Sequence, residues 1–408
     1  MRKLSIILLV SICQLFTISA KAQTSDSCFA RQLRQYGIGF DSHHSVRIIT
    51  SGREKFELLF DDIRRAKSSI HLEYFNFRND SIAGLLFDLL RQKRKEGVEV
   101  RALFDGFGND SNNKPLRKEH LKQLRDDGIS IYEFDPIRFP WINHIWPRDH
   151  RKIVVIDGEI GYTGGMNVAD YYVVGSEQVG EWRDMHCRIE GPAVNELQRI
   201  FARIWKRVAG EQLSAPKYYH AKPAGQMMVG IANREPRKSN EIMRRFYVAA
   251  LDQAKDSVKI INPYFLPTQQ VMRAIKRCAK RGVKVDMLIS SRYDEPITPD
   301  IVLHNTRKLS KLGVRVWRYR PGFHHSKIFM ADGRYCTIGS TNLDARGLRY
   351  DYEINAIIVD TTITRQLERK FLEDLTKSDY MSEEEWQKMS GWERFKGWLA
   401  RLLFGSLI

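Results

Sequence analysis

The sequence predicts an α/β fold built of two similar halves that pack as a pseudo-dimer. Helical and β-type segments alternate along the chain, and the same order of segments recurs at a nearly constant offset. One polar motif of fixed spacing closes each copy.

The first copy opens with the β-type segment Ser69–Phe77 and a helical segment over Ile82–Lys95. Gly97 and strand Val98–Phe104 follow, then helix Leu116–Asp127, Gly128 and strand Ile129–Phe134. The second copy runs Ser257–Phe265, helix Gln269–Lys280, Gly282, strand Val283–Ser290, helix Ile301–Leu312, Gly313 and strand Val314–Tyr319. Ser257 lies 188 residues past Ser69, and Gly282 and Gly313 each lie 185 past their counterparts. Glycine at each helix end supplies the left-handed cap, and a short β-branched run restarts the chain as a strand. Helix alternating with strand implies largely parallel sheets, with a shared site at the seam between the halves. The halves span residues 40–210 and 211–385. The stretch Arg34–Arg53 is charged without a readable pattern.

After the third strand of each half comes the chemistry. The first motif is His150-Arg-Lys152, four residues, Asp157, six residues, then Gly164-Gly165-Met-Asn167; the second is His325-Ser-Lys327, four residues, Asp332, six residues, then Gly339-Ser340-Thr-Asn342. One such six-position match arises by chance in about one chain in 10^5, so two at identical spacing are a specific signal. Residues two apart on a strand share a face, so each His projects beside its Lys. The apolar run Ile153–Ile156 enters the core, Asp157-Gly158 turns the chain, and Ile160–Thr163 returns Gly164 and Asn167 to the His-Lys pair. The turn positions of Asp157 and Asp332 predict that they orient the loop. Asn167, Asn342, Gly165 and Ser340 offer amide, hydroxyl and bare N–H donors for a phosphate.

These residues match the signature of the phospholipase D superfamily, which carries His-x-Lys-x4-Asp-x6-Gly-[Gly/Ser]-x-Asn twice. More closely, the chain resembles bacterial cardiolipin synthases. The stretches that carry the resemblance include Trp182-Arg-Asp184, Arg188-Ile-Glu-Gly191, Pro263-Tyr-Phe-Leu-Pro267, Pro321-Gly-Phe-His324 and Tyr352-Glu-Ile-Asn355. The resemblance covers roughly Ser51 to the C-terminus, and it implies a duplicated phospholipase D-like fold.

It also implies a catalytic set of His150, Lys152, Asp157, His325, Lys327 and Asp332, with His150 as nucleophile and His325 as general acid and base. The family places a His-orienting carboxylate downstream of each motif. Glu353 is the candidate in the second half; in the first it is Asp184, with Glu181 the alternative. The lysines supply the charge that a cation would otherwise bring, so no metal or other cofactor is expected. His43, His44, His186 and His220 lack partners at relay or metal spacing and read as surface or packing residues. His144 and His324 merely flank the motifs.

The whole-chain features suit an exported globular chain with a polyanionic partner, either nucleic acid or an anionic membrane surface. The composition is 43% hydrophobic and 28% charged, which excludes a disordered chain, and the net charge of +17 favours a polyanionic partner. Arg2 and Lys3 precede the apolar run Leu4–Ala20, and Ala20-Lys21-Ala22 has the form of a cleavage site. Residues 1–22 therefore read as a signal peptide or an N-terminal anchor that exports the catalytic domain at the cell membrane. Related synthases commonly begin with two membrane helices; here there is one export-type segment. The first half carries about ten extra residues before its catalytic His, among them Phe139, Trp141, Ile142, Ile145 and Trp146, suited to a membrane interface. Residues 390–408 form an amphipathic helix with Trp392, Phe395, Leu399, Leu402 and Leu403 on one face and Arg394 and Arg401 on the other.

The expected reaction is phosphatidyl transfer between two phosphatidylglycerols, giving cardiolipin and glycerol. The alternatives are a hydrolytic phospholipase D and an exported nuclease. Nucleic acid is the weaker partner, because nuclease relatives often carry one motif and dimerise. Anionic phospholipid, phosphatidylglycerol above all, and a membrane surface are the expected partners, and no obligate protein partner is called for.

Overall fold

The computed structural model describes residues 28–137, 147–239 and 241–404. The signal or anchor segment, His144 and the aromatic insertion at 139–146 lie outside the described residues.

Each half begins with a strand that sequence reading does not find. In the first half the strands are β1 (Phe40–Ile49), β2 (Ser69–Tyr74), β3 (Glu99–Asp105), β4 (Ser130–Phe134), β5 (Ile153–Ile156), β6 (Ile160–Gly164), β7 (Glu181–Arg183) and β8 (His186–Glu190). In the second they are β9 (Met227–Arg234), β10 (Ser257–Ile261), β11 (Lys284–Ser290), β12 (Arg315–Tyr319), β13 (Gly322–His324), β14 (Ile328–Ala331), β15 (Tyr335–Gly339), β16 (Glu353–Val359) and β17 (Ser378–Tyr380). One sheet joins 15 of them in the order β17-β12-β11-β10-β14-β15-β16-β9-β1-β8-β6-β5-β2-β3-β4. Leaving out the extra edge strand β17, that order reads as a mirror about the β9-β1 pair. The duplication seen in the sequence is therefore a pseudo-twofold in space.

The sheet is mixed rather than largely parallel. Pairing is parallel across β2-β3-β4 and β10-β11-β12, where helices Ser81–Lys95 and Gln269–Lys280 make the crossovers, and antiparallel where hairpins return the chain. The motif hairpin β5-β6 is antiparallel with Ile153 opposite Thr163, and β14-β15 repeats it with Ile328 opposite Ile338. At the helix ends Gly97 and Gly282 sit at φ 88° and 84°, the left-handed region predicted for them.

Both faces of the sheet are covered. Along β5, Val154 and Ile156 join one core with helices Gly52–Arg65 and Ser81–Lys95, while Ile153 and Val155 join another under helix Ala193–Ala209. The second core includes Val46, Ile189, Val229, Ile328 and Ile358, so it runs unbroken from one half into the other. Double burial is why the strands read as continuous apolar runs. The stretch Arg34–Arg53, patternless in sequence, contains the central strand β1. Its register against β9 shifts between Asp41 and His44, and His43 has a φ of 75°, so a bulge breaks the alternation that would have marked it.

Candidate active site

The two motifs meet because each is stitched to the opposite half. Asp149 forms a parallel bridge to Tyr352, and the His150 N–H donates to the Tyr352 carbonyl at 3.1 Å. On the other side β13 pairs in parallel with β7, setting His324 beside Arg183, and the His325 N–H donates to the Arg183 carbonyl at 2.6 Å. The next residue in each pair of segments is a His facing a carboxylate. His150 Nδ1 lies 3.0 Å from Glu353 Oε1, and His325 Nδ1 lies 2.7 Å from Asp184 Oδ2.

The orienting carboxylates are thus the residues expected, but their pairing is crossed. Reading each half by itself gives each His the carboxylate downstream of its own motif, whereas the parallel bridges hand each His the other half's. Glu181, the alternative in the first half, instead accepts from the Tyr319 hydroxyl at 2.9 Å. With Nδ1 held, Nε2 is left as the reactive nitrogen of each imidazole.

Lys152 and Lys327 are fully buried, and each ammonium donates to the carbonyl of its own motif His. Burial pushes Lys152 down to about 7 and Lys327 down to about 8, with Glu353 and Asp184 opposing the shift. Burial is also the main cause that holds His150 well below the ordinary imidazole range, reinforced by Lys152, Lys327 and His325. His325 is lowered by burial and Lys327 while Asp184 pulls it back up. The carboxylates diverge. Burial pushes Glu353 well up, against Lys152 and the Ser340 hydroxyl that donates to it. Burial pushes Asp184 up too, but His325, Lys327 and the Met185 N–H outweigh it and hold the group below the usual carboxylate range.

Two motif residues, Asp157 and Asp332, lie where their turn positions put them, and two others, Gly165 and Ser340, have surroundings other than those expected. Asp157 lies at the far end of the hairpin, where its carboxylate accepts from the backbone N–H groups of Lys67, Ser68 and Ser69 at 2.7–2.9 Å. Asp332 does the same for Lys255, Asp256 and Ser257. Both therefore anchor the turn, as their positions suggested. The backbone N–H groups of Gly165 and Ser340, each one residue past the end of β6 or β15, are already engaged: Gly165 N–H donates to Met185 O at 3.1 Å and Ser340 N–H to Ile354 O at 2.8 Å. What they serve is the carboxylate. A Cβ on Gly165 would sit 2.3 Å from Asp184 Oδ1, while Ser340 reaches Glu353. The Asn167 and Asn342 side-chain oxygens are buried with no hydrogen-bond partner among the described residues.

Some contributors escape sequence reading. Lys55 is fully buried on helix Gly52–Arg65 and its ammonium donates to the carbonyl of Asn167 at 2.8 Å, bracing the first motif loop. Its position on the buried face with Phe56, Leu59 and Ile63 is the signal that could have found it, since a lysine there needs a buried partner. Arg151 pairs with Glu73 at 2.8 Å and with Asp149 at 3.0 Å, and burial pushes Glu73 up to about 8. His324, which flanks the second motif, is buried against Asp374 at 3.1 Å. His44 and His186 are buried in packing positions, as expected of residues without relay spacing.

Two imidazoles, each braced by a carboxylate from across the seam and each beside a buried lysine, make a centre suited to phosphoryl transfer. Such a centre on a duplicated α/β sheet is that of a phospholipase D-type enzyme. A family model described as cardiolipin synthase, PLD-like domain, matches residues 59–205 and 247–375, and the chain belongs to this family. It is 36% identical over 364 residues to cardiolipin synthase 2 of Staphylococcus epidermidis, covering 88% of this chain and 74% of that one. It is likewise 36% identical over 347 residues to a cardiolipin synthase of a Geobacillus strain, covering 84% and 68%. Among solved structures, phosphatidylserine synthase of Haemophilus influenzae superposes with a TM-score of 0.70 at 16% identity, over 93% of this chain and 98% of that one. This last likeness is one of fold.

Proposed function

We propose that this chain is a cardiolipin synthase that transfers a phosphatidyl group from one phosphatidylglycerol to another. The observation that carries the reading is the crossed pair of hydrogen bonds, His150 to Glu353 and His325 to Asp184, which makes the two motifs one centre. His150 Nε2 attacks phosphorus while protonated His325 gives its Nε2 proton to the departing glycerol oxygen. A phosphatidyl group then rests on His150. Neutral His325 takes the proton from the hydroxyl of a second phosphatidylglycerol, whose oxygen displaces His150 and forms cardiolipin. Lys152 and Lys327 balance the charge on the phosphoryl oxygens, with Asn167 and Asn342 as further donors.

The basic flank and apolar run at the N-terminus support export to the outer side of the cell membrane, by a cleaved signal peptide or a single anchor. No helix among the described residues is long and apolar enough to cross a bilayer. Incubating purified protein with phosphatidylglycerol micelles tests the reading. Cardiolipin with free glycerol is expected. Phosphatidic acid alone would make the enzyme a hydrolase, and intact lipid beside cut DNA would make it a nuclease.

A further inference from the structure

The C-terminal helix, Gly391–Phe404, packs on helix Thr298–Ser310 with most of its apolar stripe left outside. Its inner face carries Gly397, Ala400 and Phe404: Gly397 lies against helix Thr298–Ser310, where a Cβ would stand 2.6 Å from the Asp300 carbonyl, Ala400 and Phe404 pack on the core, and Lys396 reaches the Asp300 carboxylate at 3.6 Å. The apolar face is turned to solvent. Trp392 is 65% exposed and Leu402 64%, with Phe395, Trp398 and Leu403 also exposed, and the rings of Trp392, Phe395 and Trp398 follow one another at 5.7 and 5.8 Å. An amphipathic helix in a water-soluble domain ordinarily does the reverse.

Beside this helix is a cavity of about 180 Å3 lined by Leu266, Pro267, Thr268, Gln269, Ala345, Arg349 and Arg401. It has room for far more than one water. Thr268 is the N-cap of helix Gln269–Lys280 but caps nothing: its hydroxyl makes no cap hydrogen bond, and Oγ1 is buried without a partner among the described residues, the residue being 6% exposed. Arg401 is half-buried with Nη1 unpartnered among the described residues, and burial lowers it. Its charge is felt by Lys308 and by His304, which burial and these neighbours push down to about 4, so the region holds positive charge in excess. A helix N-terminus, an idle buried hydroxyl and two arginines form a site that lacks only an anion. Tyr264, two residues before Leu266 of the cavity wall, packs its ring 6.2 Å from that of His325.

We propose that this cavity binds the phosphodiester of an anionic phospholipid still seated in the bilayer, with the acyl chains against the outward apolar face of the C-terminal helix. The choice of a lipid as the anion's source rests on the phosphatidyltransfer reading; the anion site itself rests on Thr268, Arg349 and Arg401. Bound in this way, the helix lies in the interface and brings the enzyme's seam to the membrane surface.

The test uses the full-length chain and vesicles of phosphatidylcholine containing about one-third phosphatidylglycerol. The R349Q/R401Q variant should bind them at least about tenfold more weakly than the wild type, since each arginine near an anionic surface contributes to binding. Thr268→Val should weaken binding less, with circular dichroism unchanged in both. Turnover of short-chain, soluble phosphatidylglycerol should persist in both. Inorganic phosphate, compared with sodium chloride at equal ionic strength, should displace the protein no better than the chloride. Selective displacement by phosphate would assign the cavity to a soluble anion and overturn the lipid proposal. Unchanged vesicle binding by the variants, with phosphatidylglycerol still turned over, would overturn the inference alone. Weakened binding by the variants, with no turnover even by the wild type, would uphold the inference and overturn the proposed reaction.

Discussion

His325 is set among the rings of Tyr172, Trp182, Tyr264 and Phe323, with the anionic Asp184 behind it. His150 meets Phe75 edge-on, has Lys152, Lys327, His325 and Arg346 acting on it, and leans on a Glu353 whose own charge is suppressed by burial. The segments that carry them differ as well. His150 follows Arg148 and Asp149 and precedes Arg151, a buried network that reaches Asp105 and Glu73, whereas His325 follows the β13-β7 ribbon and precedes the uncharged Ser326. Duplication thus yields one geometry with two electrostatic settings. A His held neutral suits attack on phosphorus, and a His steadied by an anionic carboxylate suits carrying a proton. The comparison teaches that surroundings can differ where a motif is symmetric, and this difference supports the proposed division of roles.

The largest effects should come from breaking both settings. His150→Ala and His325→Ala should each reduce turnover by a factor on the order of 10^4, and the double variant should be little worse, because the pair works as a unit. Retention of about half the activity in each single variant would mean two separate sites. The carboxylates should then separate the halves. Asp184→Asn removes an anion that stabilises imidazolium and should cost on the order of 10^3 in kcat. Glu353→Gln replaces a group already pushed toward its neutral form and should cost only about tenfold. Equal losses would erase the distinction.

Smaller effects should follow the carboxylates' supports. Gly165→Ala drives a Cβ into Asp184 and should lower kcat about a hundredfold, while Ser340→Ala removes one hydrogen bond to Glu353 and should cost a few-fold. Thermal unfolding of both variants shows whether the loss lies in the site or in the fold. The pH profile sharpens the picture further. Lys152 and Lys327 carry their charge below about 7 and about 8 and lose it above. The kcat/KM of free enzyme should therefore fall about tenfold per pH unit through that window and about a hundredfold per unit above it. The kcat limb should lie at higher pH, because a bound phosphate raises both lysines. On the acid side activity should persist below the ordinary imidazole range, since His150 stays neutral there.

Much of this was legible in the chain. Apolar periodicity and glycine caps located the crossover helices and the strands around them, and the motif spacing located the hairpins that hold His150 and His325. Three features were hidden, each for a physical reason. β1 was masked by a bulge at His43 that spoils alternation. The crossing of Asp184 and Glu353 depends on the β7-β13 ribbon and the Asp149-Tyr352 bridge, contacts between segments more than 100 residues apart that no local pattern encodes. The outward face of the C-terminal helix could not be read because an apolar stripe looks the same whether it meets a core or a bilayer.

The central claim is that environment makes His150 the nucleophile and His325 the proton carrier. Mixing enzyme with phosphatidylglycerol labelled in the phosphatidyl moiety, quenching rapidly and mapping the labelled peptide tests it directly. The account predicts label on the peptide containing His150, gained in His325→Ala only slowly and absent in His150→Ala. Label found on His325, or lost from neither variant, would contradict it.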